Sequence, residues 1–171
     1  MSPAHRSLLM RANRHLGAAL VEANLVNVSD LEAATERLIT HVAGGNFRQA
    51  SVLGLLAYDL RVLREEDALQ HHMEAHGAGL VDLREWEVPE EIKGTLDAGA
   101  CWATWTLPFD REEGFTSLAT AYGMSESVRA FWEKQIGGPI LWYGATIEGI
   151  AEQLEKLGAD RATAAKPSAT A

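Results

Sequence analysis

A pattern that occurs twice constrains this chain more than any other feature. The stretch RHLGAALVEANLVNVSDL at 14–31 returns in altered form over 51–69. Leu16 is matched by Leu53, Gly17 by Gly54, Leu25 and Val26 by Val62 and Leu63, and Asp30 by Asp67. The period, Gly17 to Gly54, is 37 residues. Each copy reads as a helix with a leucine-glycine pair near its start, an apolar doublet in the turn, and a polar cap opening a second helix. One helix pair of this size cannot bury its own apolar stripe, so two stacked copies, a four-helix module, are the expected unit.

The rest of the chain is read around that module. Residues 1–12 form a lead-in, locally basic through His5, Arg6 and Arg11. The first repeat helix is predicted over 13–24, with Leu16, Ala19, Leu20 and Ala23 on one face. Asn27 or Ser29 caps the second, which Gly44 and Gly45 stop, and the second copy ends at Gly77. Beyond it the texture changes. Residues 79–83 read as a short strand or extended link, and Val88-Pro89-Glu90-Glu91 as a helix start with proline in its first turn. The alternating Trp and Thr of ACWATWTLPF predict a strand over 100–109, a charged turn at 110–114 and a second strand over 115–122. A helix capped by Ser125, a third strand at 139–144 and a helix over 147–157 capped by Thr146 follow. The expected fold class is α+β: a helical module of two repeated helix pairs, then a small three-stranded sheet with two helices. The expected division is a tandem helix-pair subdomain over 13–83, an α/β subdomain over 84–158, and a disordered tail over 159–171.

Composition narrows the function classes. With 15 basic and 24 acidic residues the formal charge is −9, which argues against general affinity for nucleic acid or anionic lipid. Cys101, the one cysteine, excludes an intrachain disulfide. No apolar run approaches the roughly 20 residues of a membrane span, so no membrane insertion and a cytoplasmic location are expected.

The repeat and the AGLVDL run at 78–83, with WEVPEEI following, resemble the N-terminal domain of type II secretion and type IV pilus assembly ATPases, the GspE N-terminal or MshEN-like family. The similarity runs over 14–158, because the strand-strand-helix-strand-helix order resembles the second half of that domain. It does not bring the motor: no GxxxxGK[ST] run, whose backbone amides and lysine cradle phosphates, is present in this sequence. The resemblance therefore implies a regulatory or docking domain without the ATPase domain. The partner it implies is a protein of a secretion, pilus or related assembly.

Some members of the group bind cyclic di-GMP through two copies of a motif like RLGxxLVxxGLIxxxxLxxxLxxQ. This chain keeps Leu16-Gly17, Leu20-Val21, Leu25-Val26 and Leu31, but has His15 at the arginine with Arg14 before it, Asn24 at the turn glycine, and Leu38 at the glutamine. The second copy keeps Leu53-Gly54 and Val62-Leu63, with Val52 before the pair and Arg61 at the turn glycine. Arg14, His15, Gly17, Gly54 and Arg61 are the candidate contacts by that resemblance, and docking without a nucleotide ligand is the leading reading.

Other constellations point away from chemistry. His72 and His76 have the i,i+4 spacing of a metal chelate, but HExxH is absent and no third ligand is marked, so no metal is expected. Trp102, Trp105, Trp132 and Trp142 read as core or interface, and Cys101 as a buried thiol. Asp110, Glu112 and Glu113 read as a solvated turn. No catalytic set, no cofactor and no enzymatic activity are expected.

Overall fold

The computed structural model describes residues 1–165, with side chains through 161. Its first helix, α1 (Pro3–Glu22), absorbs the expected lead-in: Ser2 accepts from the His5 amide at 3.1 Å, Pro3 begins the helix, and Leu8, Leu9 and Ala12 are buried with Leu16 and Leu20. Helix α2 (Val28–Ala43) is capped by Asn27, whose side chain accepts from the Asp30 amide at 2.7 Å. After a 3₁₀ turn at Phe47–Gln49, α3 (Val52–Gly54) widens at once into a π turn at Leu55–Asp59. Helix α4 (Glu65–His76) closes the second copy, and Gly77 ends it in the left-handed region at φ +64°.

The second half departs from expectation at 98–104 and again at 110–112, expected as part of a charged turn but belonging to a strand that runs to Glu112. Residues 98–104, predicted as part of a strand, form helix α6 (Ala98–Thr104), preceded by α5 (Glu90–Thr95). Asp97 starts α6 by accepting from the Ala100 amide at 3.1 Å. Trp102 and Trp105 then lie three apart, rings edge to face at 5.5 Å, instead of on alternate positions of a pleat. Trp105, at φ +48°, turns the chain into strand β2 (Thr106–Glu112). A two-residue turn at Glu113 (φ +52°) and Gly114 (φ +84°) returns it as β3 (Phe115–Thr120). Helix α7 (Glu126–Ile136), strand β4 (Ile140–Gly144) and helix α8 (Ile147–Ala165) complete the chain.

The expected strands at 115–122 and 139–144 are β3 and β4, and a fourth strand, β1 (Gly79–Leu80), joins the edge from the segment predicted as a strand or link. The order is β1-β4-β3-β2, with β2 antiparallel to β3 and the other neighbours parallel. Helix α8 runs past Gly158 to Ala165, so 159–165 is helix and not the expected tail; 166–171 lies outside the described residues.

One apolar core runs through both halves, from Leu9, Leu16 and Leu53 on the helices to Leu107, Leu118 and Ile150 around the sheet. A buried polar node crosses the same boundary. Asn13 donates to Leu9 O at 2.9 Å and accepts from the Val52 amide at 2.9 Å and the Tyr122 hydroxyl at 2.6 Å. The Tyr122 oxygen lies 2.7 Å from Ser51 Oγ, which in turn accepts from the Gly54 amide. Every polar atom of this node finds a partner, which buried groups require.

Candidate functional site

The duplication is visible in the backbone. Asn24 stands at φ +58° and Arg61 at φ +54°, the same 37-residue spacing as the glycine pair. Asn24 ends α1 in a Schellman turn: its amide donates to Val21 O at 3.0 Å, and that of Leu25 donates to Leu20 O at 3.0 Å. In the second copy the Val62 amide reaches back to Leu56 O at 3.0 Å, one residue further, because the π turn has inserted an extra position. The second members of the two doublets, Val26 and Leu63, are each 8% exposed. Asparagine adopts the left-handed region readily, whereas arginine does so against steric cost.

The two glycines are less alike than the two turns. A Cβ on Gly17 would come 2.7 Å from Leu31 Cδ1, so this glycine lets α1 and α2 close on each other. Gly54 instead lies beside Ser51 and Ile147, each 3.6 Å from where its Cβ would be, and faces the start of α8. The space a ligand would need at Gly17 is filled by leucine.

Two grooves adjoin the second copy. One, of about 690 Å³, is lined by both left-handed residues, Asn24 and Arg61, together with Leu25, Tyr58, Val62, Arg64 and Asp67. The other, of about 530 Å³, is lined by Arg48, Ser51, Gly54, Tyr58, Ile147 and Glu148. Tyr58 forms a wall of both. In the second groove Arg48 is already paired, to Glu148 at 2.9 Å and to Glu155 at 2.6 Å. Below it, buried Glu65 accepts from the Ile147 amide at 2.6 Å and from the Tyr58 hydroxyl. Burial first, opposed by these two hydrogen bonds, raises its carboxyl above the usual range. The Tyr58 phenol is pushed up as well, by burial and then by Glu65.

The sequence-derived contacts are thus distributed. Gly54 and Arg61 lie on adjoining grooves, Gly17 is enclosed, and Arg14 and His15 line neither groove. Arg14 is exposed on α1; His15 is half-buried, its Nδ1 without a hydrogen-bond partner. Tyr58 and Arg64 were missed by sequence reasoning. Their signal was positional: each lies three residues from Arg61, one on either side of the turn.

The other constellations resolve simply. Cys101 is fully buried in α6, and that burial raises its thiol. Trp132 donates to Thr104 Oγ1 at 3.0 Å and Trp86 to Phe109 O at 2.9 Å. Asp110 closes over the Arg111 amide at 2.9 Å, while Glu112 and Glu113 are exposed at the hairpin. Among the described residues no cluster of three or more His, Cys, Asp or Glu is arranged to hold a metal, and no helix is long and apolar enough to cross a membrane.

No protein-family profile matches the chain. Two crystal forms of the N-terminal domain of XpsE superpose with TM-scores of 0.55 and 0.51, at 24% and 23% identity, over 85% and 81% of this chain and 94% and 90% of theirs. This chain has the fold of the XpsE N-terminal domain. A structure of MshE with cyclic di-GMP shares that fold at a TM-score of 0.52 and 17% identity, over 83% of this chain and 97% of the other. The type IV pilus assembly ATPase PilB of Thermus thermophilus is 30% identical over 115 residues, 66% of this chain and 12% of that protein. That shared fold accounts for the α+β class and for the small mixed sheet behind the helices. Only 12% of PilB is spanned, and the likeness includes no phosphate-cradling loop.

Proposed function

We propose that this domain is a cytoplasmic docking or regulatory element of a secretion, pilus or signalling assembly, without a reaction of its own, and that it engages a protein partner at the groove between the repeated turns. One observation carries the reading. Val62 and Tyr58 stand 40% and 61% exposed beside that groove, flanked by Arg61, Arg64 and Asp67, with Arg64 4.0 Å from Glu66, on a chain whose formal charge is −9. An apolar centre whose rim carries two arginines and one aspartate fits a partner of apolar centre and mixed, mainly acidic rim. The relatives support the setting, one being named a pilus assembly ATPase.

Val62→Asp places an unpaired charge in the contact and is expected to weaken capture of the partner about 30-fold or more, the range of an interface anchor. Ile39→Asp, on α2 at 52% exposure and outside the groove, is the control. Equal capture by both variants contradicts the reading.

A second reading, a cyclic di-GMP receptor, draws support from the MshE structure and from Tyr58, Arg61 and Arg64 sharing a groove. Arginine pairs with phosphate and both side chains stack on guanine. Against it stand the filled position at Gly17 and the placement of Arg14 and His15 outside the lining of either groove. Calorimetry with cyclic di-GMP separates the two. Saturable heat lost in Arg61→Ala supports the receptor, with Arg14→Ala and His15→Ala reporting on the first copy. No heat removes it.

A further inference from the structure

Away from both grooves, two histidines of α4 and an arginine of α7 meet, and among the described residues no carboxylate is hydrogen-bonded to any of them. His72 is 2% exposed, and neither of its ring nitrogens has a hydrogen-bond partner. Its ring lies so close against Gly123 that a Cβ there would be 2.2 Å away. The His76 ring follows one turn along α4, 5.2 Å between centroids. From α7, Arg129 lays its guanidinium over the Trp142 ring at 4.9 Å, half-buried, with Nη1 enclosed and unpartnered. Elsewhere the partly buried cations Arg48 and Lys93 each reach a carboxylate. Arg129 reaches none among the described residues.

The remaining charges around the cluster are few. His71 lies beside His76 on α4, and on α7 Glu133 acts on Arg129 through space without a hydrogen bond. Burial first, then His76 and Arg129, lowers His72 to about 4, so the ring is neutral near pH 7. Arg129 and His76 are lowered too, each mainly by burial. An enclosed donor set costs free energy while unsatisfied, and an acceptor of opposite charge would remove that cost.

We propose that the seam formed by His72, His76 and Arg129 over Trp142 is a binding site for a phosphate-type dianion. Three groups that can each donate suit a doubly charged tetrahedral anion better than a single carboxylate, and the arginine fork presents two parallel N–H groups to it. His76 is exposed, Arg129 half-buried and His72 buried, so an anion would meet His76 and Arg129 before His72.

The test is an NMR titration of the histidine ring signals with inorganic phosphate at pH 7, and with acetate at matched ionic strength. Saturable shifts of the His72 and His76 signals with phosphate, lost in Arg129→Gln and kept in Arg64→Gln, are expected. His76→Gln, at an exposed position, is expected to weaken phosphate several-fold with its unfolding midpoint unchanged, and it serves if Arg129→Gln does not fold. Three outcomes overturn the assignment: no saturation by phosphate, shifts of equal size with acetate, or shifts that survive both substitutions.

Discussion

Two residues carry the repeat in a conformation their side chains do not favour. A left-handed φ costs a residue other than glycine on the order of 1–2 kcal/mol, and asparagine less than most. Arg61→Gly is therefore expected to leave the unfolding midpoint unchanged or raise it, and Arg61→Val to lower stability by about 1–2 kcal/mol, measured by urea denaturation. His72 and Glu65 make opposite predictions in pH. The folded value of His72, about 4, lies below the ordinary 6.5, so its contribution is full above 6.5 and is lost as pH falls towards 4. That shift corresponds to roughly 3 kcal/mol at most. His72→Leu should flatten the stability profile across that window. Glu65 is raised, so its contribution is full below the ordinary glutamate range and weakens as pH climbs through the raised value. Asn24 and Arg61 were legible as the turn positions of a repeat; the π turn before Arg61 was not, because no composition marks it.

At the scale of elements, α6 shows where a sequence pattern misleads. Alternating Trp and Thr promised a pleat, but Asp97 caps the segment, and Ala98, Ala100 and Ala103 favour helix. Gly99 also lies against the His5 ring, an approach that a side chain there would obstruct. Asp97→Ala removes that cap and the 3.0 Å contact to His5, and is expected to cost about 1 kcal/mol, read from chemical denaturation. Helix α8 depends on a cap supplied from far along the chain, the Glu65 carboxylate on the Ile147 amide. Glu65→Ala leaves that buried amide and the Tyr58 hydroxyl without an acceptor and should cost about 2 kcal/mol or more. The hairpin, the glycine stops and the caps at Asn27 and Thr146 were readable because each rests on one or two adjacent residues. Long-range partners such as Glu65 with Ile147 leave no local mark.

Across the whole molecule, the buried node of Asn13, Ser51 and Tyr122 and the continuous apolar core join the repeated helices to the sheet. The repeat, the fold class and most of the element order could be read from spacing; the helix at 98–104 could not. The division of candidate contacts between two grooves could not, since it follows from how α3 meets α8 and from Leu31 filling the space at Gly17. The groove between the repeated turns carries exposed Tyr58 and Val62 beside Arg61, Arg64 and Asp67, and the proposed docking rests on it. Hydrogen–deuterium exchange of the domain alone and with its captured partner tests this most directly. The account predicts slowed exchange in peptides covering 22–26 and 57–67, around Asn24, Tyr58, Arg61 and Val62. Protection confined to β4, α8 or any other segment, with these two turns unchanged, would contradict it.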